Sequence, residues 1–212
     1  MDLSDLRHDY CKFGLTRELL DDNPFKQFDK WFKEAQNCKV DEPNAMQIAT
    51  VNAKGEPSLR TVLLKAYDEE GFVFFTNYES QKAHDLGENP HICANFLWLF
   101  LERQVRISGV AEKISTARSL KYFLSRPFSS RLGAWVSNQS HIITSRKILE
   151  MKFEEMKRKF ADGKVPLPDH WGGYIIKPTA FEFWQGRPSR LHDRFKYHDF
   201  KDGKWEISRL AP

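Results

Sequence analysis

The feature that most constrains this chain is a succession of short, β-branched and aromatic runs separated by tight turns from residue 45 onward. Runs 45–52 and 58–67 flank Lys54-Gly55-Glu56-Pro57, which reads as a hairpin loop. Asp68-Glu69-Glu70-Gly71 then turns the chain into 72–77. The pattern continues in 91–100, 103–113, 173–177, 180–185, 191–197 and 204–209, with Asp202-Gly203 as the last turn. Roughly seven to nine such strands with short connections predict an antiparallel barrel, not a doubly wound parallel sheet.

Helical signals gather in separate places. Asn23-Pro24 is a cap followed by a first-turn proline, and Phe25, Phe28, Phe32 and Ala35 then form one apolar stripe. Residues 80–87 read as a short helix capped by Ser80 and stopped by Gly87. Region 116–161 is helical, with Leu149, Phe153, Met156 and Phe160 at helical spacing before Gly163 and Pro166. Residues 1–22 are polar and read as an arm, and 23–212 as a single domain. The expected class is mainly β with attached helices, α+β.

Composition narrows the function. With 41% hydrophobic and 29% charged residues the chain is neither disordered nor collagen-like. Its net charge of +4 permits anionic ligands but does not point to nucleic acid. The longest nearly apolar run, 92–101, is half the length of a membrane helix at about 20 residues. Cys11, Cys38 and Cys93 form no metal-ligand spacing, and Asp2, Asp5 and Arg7 stand where a signal peptide needs an apolar core, so the expected home is the cytoplasm. Phosphate-loop, zinc-protease and serine-hydrolase motifs are absent from the sequence. The 17 Phe and 6 Trp suit a dense core, a large interface or a planar ligand.

Five segments carry candidate chemistry. In Arg190-Leu191-His192-Asp193-Arg194-Phe195-Lys196, strand period places Arg190, His192, Arg194 and Lys196 on one face, beside the aromatic run Phe181-Glu182-Phe183-Trp184. The alternative is a solvated edge. In Arg60-Thr61-Val62-Leu63-Leu64-Lys65 the two cations point to opposite faces of a regular strand. They serve one ligand only through a bulge, the strand's end, or two sites at a subunit boundary. Thr76 with Ser80-Gln81-Lys82 at a helix start makes a natural phosphate seat, or a plain cap. Gln104, Arg106 and Ser108 share a polar strand face. Tyr122 and Arg126 lie one helical turn apart before Pro127, with Ser130 beyond, a set of oxyanion donors.

In this order, with Phe181-Glu182-Phe183-Trp184-Gln185-Gly186, Arg190-Leu191-His192-Asp193-Arg194, Arg103-Gln104-Val105-Arg106 and Trp135-Val136-Ser137-Asn138-Gln139-Ser140, the chain resembles the pyridoxine (pyridoxamine) 5′-phosphate oxidase family from end to end. The resemblance implies a split β-barrel homodimer with FMN at the subunit interface. It implies FMN contacts from Arg60, Thr61, Val62, Leu63, Leu64, Lys65, Phe75, Thr76, Gln81, Lys82, Gln104, Gln139, Ser140, Trp184 and Arg194. It implies that Lys65, Tyr122, Arg126 and Ser130 hold the substrate phosphate. Arg190, Leu191 and His192 would face the pyridine ring, with Arg190 and His192 catalytic, and Arg7 and Tyr10 would close over it.

The implied reaction oxidises pyridoxine or pyridoxamine 5′-phosphate with O2 to pyridoxal 5′-phosphate, giving H2O2, and NH3 from the amine. No nucleic acid or membrane partner is implied. The rival readings are a split-barrel flavin reductase of other specificity and a non-enzymatic pyridoxal phosphate carrier. Where the family usually has Arg beside the helix-start Lys, this chain has Gln81. A neutral amide there predicts a weaker phosphate grip, and Gln81→Arg a gain of about tenfold.

Overall fold

The computed structural model describes residues 2–3, 9–137 and 139–212, so Arg7 and Asn138 lie outside the described residues. Helix α1 (Pro24–Asn37) starts where the sequence places it: the Asn23 side chain accepts from the backbone N–H of Phe25 and Lys26, and Pro24 occupies the first turn. Its inward face is Phe28, Trp31, Phe32 and Ala35, all buried, while Phe25 packs at the margin of the core.

Nine antiparallel strands form one curled sheet: β1 (Ala45–Val51), β2 (Pro57–Leu63), β3 (Ala66–Asp68), β4 (Gly71–Asn77), β5 (His91–Trp98), β6 (Arg103–Lys113), β7 (Trp171–Gln185), β8 (Asp193–Lys201) and β9 (Lys204–Leu210). The order is β2-β1-β5-β6-β7-β4-β3, with β8 branching from β7 and β9 from β8. β7 is shared: residues 171–177 pair with β4 and β6, and 181–185 with β6 and β8. The sheet therefore splits along β7. It curls until β2 touches β4, and the chain passes from one ladder to the other at the corner where the Lys65 N–H bonds the Val73 carbonyl at 2.8 Å. The interior is aromatic, with Phe28, Phe72, Phe96, Trp98, Phe181 and Phe183 almost wholly buried. Each such side chain contributes about 1.5–3 kcal/mol.

Helix α2 (Gln81–Glu88) packs on β1 and α3 (Thr116–Ser125) on β7, while α5 (Arg146–Lys159) packs on α4 (Phe128–Val136). A second cluster of Phe123, Leu132, Phe160, Val165 and Trp171 sits among α3, α4 and β7, with Phe75 and Tyr122 packed against it. That cluster is the wall of the site.

Several boundaries differ from the sequence reading, each for a local reason. Run 58–67 is two strands, because the Leu64 N–H bonds Asn44 beside β1 while the next N–H, of Lys65, bonds Val73 and opens the β3–β4 ladder. Runs 173–177 and 180–185 are one strand carrying a bulge. At the bulge Gly109 passes so close to Lys177 that an added Cβ would meet its carbonyl at 2.2 Å. Run 91–100 stops at Trp98, where residues 99–101 turn and Glu102 takes a left-handed φ of 54°. Region 116–161 is three helices, broken after Ser125 by Pro127, with the second ending at Val136 and the third starting at Arg146. α2 runs through Gly87, and the Ser80 hydroxyl donates to the Asn77 carbonyl at 2.7 Å instead of capping the helix. Run 191–197 begins only at Asp193, since Ser189 and Arg190 are both left-handed, at φ 56° and 61°.

Candidate functional site

A cleft of about 700 Å³ opens between β2, β4, α2 and the α3–α4 pair. It gathers most of the residues the sequence singled out: Arg60, Thr61, Val62, Leu63, Lys65, Phe75, Thr76, Gln81, Lys82, Tyr122, Arg126, Ser130, Gln139 and Ser140. Leu64, in the corner between β2 and β3, is the exception. It turns into the core and is 4% exposed. The corner after Leu63 resolves the Arg60 and Lys65 problem: the strand ends between them, so both border one cleft.

The first charged group in the cleft hangs from the start of α2. Lys82 is buried, and its Nζ donates to Thr76 Oγ1, Ser80 Oγ and Gln139 Oε1, each at 3.0 Å. These three partners are neutral. Burial, then the nearby Arg60 charge, push the Lys82 pKa down to about 8, with Asp85 acting in the opposite sense. Arg60 donates to Thr50 Oγ1 at 2.6 Å, to the Ile48 carbonyl at 3.3 Å and to Ser58 Oγ. The Gln81 backbone N–H faces Ser140 Oγ at 3.3 Å. A helix start with two cations and hydroxyls around it is an anion seat.

The second charged group sits where α3 ends. Tyr122 stacks on Phe75 with centroids 3.9 Å apart, and the Arg126 guanidinium lies 4.7 Å from the Trp171 ring centre. Arg126 Nη1 is buried with no hydrogen-bond partner. Burial lowers the Arg126 pKa, with Tyr122 opposing the shift, and burial raises that of Tyr122, with Arg126 opposing. A buried guanidinium nitrogen left unpaired is costly unless a ligand supplies its acceptor.

The remaining candidates do not line this cleft. Gln104 and Trp184 are cross-strand neighbours on β6 and β7. The Trp184 ring lies 4.6 Å from that of His192, and Tyr10 stands edge-on to both at 5.7 and 5.8 Å. Arg194 is tied to Glu182 at 2.8 Å and to the Ala211 carbonyl at 2.7 Å. Leu191 is exposed. Arg190 lies on a 3₁₀ turn (Pro188–Arg190) before β8, so the alternation expected from 190 to 196 holds only from Asp193. The turn is clamped from both sides: Arg187 donates to the Phe13 carbonyl, and Asp193 accepts from the Leu15 N–H and from Arg209. His192 Nδ1 accepts the Arg187 N–H at 3.1 Å. Burial and then Arg190 lower its pKa, against the pull of Asp193, so the ring is neutral near pH 7 and carries its proton on Nε2.

Sequence reasoning missed two contributors. Trp171 forms the wall behind Phe75 and Tyr122, with near-parallel rings. Asp85, 2% exposed, accepts from Thr50 at 2.6 Å, Ser58 at 3.0 Å and Gln81 at 2.8 Å. Its position one turn after Gln81 on a predicted helix was the available signal.

Residues 32–160 match the family model described as pyridoxamine 5′-phosphate oxidase, and residues 171–212 match the pyridoxine 5′-phosphate oxidase C-terminal dimerisation region. The chain is 64% identical over its full length to the whole pyridoxine/pyridoxamine 5′-phosphate oxidase of Crocosphaera subtropica, and 60% identical, again full length to full length, to that of Aliarcobacter butzleri. Among solved structures it is similar to PhzG from Burkholderia lata 383 in complex with tetrahydrophenazine-1-carboxylic acid, with TM-score 0.85, 26% identity and coverage of 92% of this chain and 95% of that one. A pyridoxamine 5′-phosphate oxidase-related, FMN binding protein from Nostoc punctiforme shares the fold at TM-score 0.71 and 16% identity, with coverage of 90% and 98%. Split β-barrel, two-group cleft and full-length kinship agree: this chain is an oxidoreductase that belongs to the pyridoxine/pyridoxamine 5′-phosphate oxidase family.

Proposed function

We propose that the chain oxidises pyridoxine or pyridoxamine 5′-phosphate to pyridoxal 5′-phosphate, with FMN as cofactor and O2 as the final acceptor. The observation that carries this reading is one cleft holding two separate anion-seeking groups, the Lys82 seat and the unpaired Arg126. A flavin phosphate and a substrate phosphate are the two anions such a cleft takes. The volume, about 700 Å³, lies within the ordinary range for small-ligand sites.

FMN fits the donor set: Lys82, Arg60, Thr76, Gln139 and Ser140 would hold its phosphate, and 61–63 of β2 would run along its ring. When bound, FMN supplies the two-electron acceptor for the substrate C4′ carbon and the route to O2, yielding H2O2. Lys65, Tyr122, Arg126 and Ser130 anchor the substrate phosphate, which fixes the C4′ carbon in the cleft. Gln104, Trp184, Arg190, His192 and Arg194 act on the same ligands when a second copy of the chain brings its own set to this cleft. The matched dimerisation region supports that pairing. Arg190 then opposes charge developing on the pyridine ring. His192 acts as a donor through Nε2–H, because Nδ1 is occupied by the Arg187 N–H. For the amine substrate, hydrolysis of the product imine releases NH3.

A reductase of other specificity, acting on a planar carboxylate, has no use for a second cationic group whose guanidinium keeps one buried nitrogen unpaired. The test is the purified protein itself. It should be yellow, release FMN on denaturation at about one per chain, as one phosphate seat per chain implies, and form H2O2 with either substrate. Colourless protein that takes up no added FMN would overturn the reading. Peroxide from neither phosphate substrate would overturn the specificity.

A further inference from the structure

We propose that Asp85 is the positioning residue of the α2 anion seat: it sets where the side chain at 81 points and anchors Arg60 from behind. The proposal deepens the FMN reading and rests on it. Asp85 touches no ligand-facing space of the cleft. Its Oδ2 accepts from the hydroxyls of Thr50 and Ser58, and those same two oxygens accept from the Arg60 guanidinium. With both hydroxyl protons drawn to the carboxylate, their lone pairs must face Arg60. The result is a directed relay that holds Arg60 beside the seat, with Arg60 Nη2 3.9 Å from Asp85 Oδ2. Oδ1 accepts the Gln81 Nε2–H at 2.8 Å, so the amide at 81, at the rim of the cleft, is turned along α2 toward Asp85.

This changes what Gln81 is. It is not a weakened phosphate ligand but the third hydrogen-bond donor to a buried carboxylate. Burial pushes the Asp85 pKa up, yet hydrogen bonds from Thr50, Gln81 and Ser58, with Arg60, outweigh it and keep the group ionised. An arginine at 81 meets that carboxylate four residues on, an ion-pair spacing on a helix, before it meets the ligand. The tenfold gain expected from sequence for Gln81→Arg therefore does not appear while Asp85 is present. The charged groups facing Lys82 are Arg60 from β2 and Asp85 from its own helix, while Thr76 of β4 and Gln139 of the loop after α4 are neutral.

The test is a four-way comparison of cofactor-stripped protein titrated with FMN by fluorescence: wild type, Gln81→Arg, Asp85→Asn and the double variant. Gln81→Arg should change the FMN Kd by less than about threefold beside Asp85, and tighten it by about tenfold or more when residue 85 is Asn. In Asp85→Asn the alkaline fall in FMN affinity should begin at lower pH than in wild type, because Lys82 loses the charge that keeps it protonated. A purely structural Asp85 would leave that limb in place. Equal gains in both backgrounds, or an unmoved limb, overturns the proposal. If Asp85→Asn does not fold by circular dichroism, Asp85→Gln, a neutral acceptor of longer reach, carries the same comparison. Failure of wild type to bind FMN would instead overturn the cofactor reading.

Discussion

The Lys82–Arg126 cleft and the Tyr10–Trp184–His192 group are built in opposite ways. The cleft residues stand on strand β4, the end of β2 and helices α2 to α4, and their polar atoms are held by buried hydroxyls, an amide and a carboxylate. The second group draws Trp184 from β7 and His192 from the short link between the left-handed turn and β8, and Tyr10 of the N-terminal segment covers both. On the function proposed above, the first holds the two phosphates and the second meets the ligand ring. Rigid elements suit binding of phosphates, whose charge does not change during reaction. The left-handed turn at 189–190 instead sets the direction of Arg190 and His192, which the proposed function assigns to a ligand on the second copy.

The largest expected effect separates the two regions. Arg190→Ala and His192→Ala should each lower kcat/KM for pyridoxine 5′-phosphate by roughly a hundred- to a thousandfold, the usual cost of losing a donor aimed at transition-state charge. Both should still be isolated with FMN, since neither residue lines the cleft. Steady-state kinetics and the visible spectrum read the two outcomes. A variant that keeps near-normal kcat/KM would remove its residue from the chemistry.

Next in size are losses on the cleft side. Lys82→Met should raise the FMN Kd by roughly ten- to a hundredfold, and Arg126→Ala should raise the substrate KM by a similar factor, given about 1.5–3 kcal/mol per charged hydrogen bond. Fluorescence titration and initial rates would show them. Arg126→Ala with unchanged KM would mean that the unpaired Nη1 is a packing residue.

Acidity offers a smaller, graded test. The Lys82 pKa lies near 8 without ligand, and a bound phosphate raises it, so binding takes up a proton above that value. FMN affinity should therefore be fully present below about pH 8. It should fall as pH rises through that point, by at most about tenfold per unit. A flat profile from pH 7 to 10 would place the Lys82 ammonium outside the phosphate seat. The smallest effect concerns the edge group. A Cβ at Gly186 would meet the Tyr10 ring at 2.7 Å, so Gly186→Ala should displace Tyr10. The substrate KM should rise by about two- to tenfold, the worth of an aromatic contact of 0.5–1.5 kcal/mol.

The barrel was legible because period-2 runs and turn residues mark strands directly, and β6 matches the expected 103–113. The α1 start was legible from Asn23-Pro24. The strand corner at 64–65 was not, since it depends on which neighbour each N–H finds. The expected face of 190–196 failed at its first members because two left-handed residues, neither of them glycine, break the strand alternation. Within the site, the cations and Tyr122 were readable by type and spacing. Asp85 was not, because a lone Asp in a short helix shows nothing of the hydroxyls that reach it from β1 and β2. Nor does the sequence show that the predicted residues divide into two groups.

That division is the centre of the account, and mixed dimers test it. Arg126→Ala damages only the cleft and Arg190→Ala only the edge group. When the two impaired variants are unfolded and refolded together and assayed well below the wild-type KM, half-and-half pairing leaves one intact site in each mixed dimer. Activity should recover to about a quarter of wild type under isologous two-fold pairing. No recovery above the separately refolded variants, with mixed dimers verified by mass, would mean that both groups act within one chain and would contradict the account.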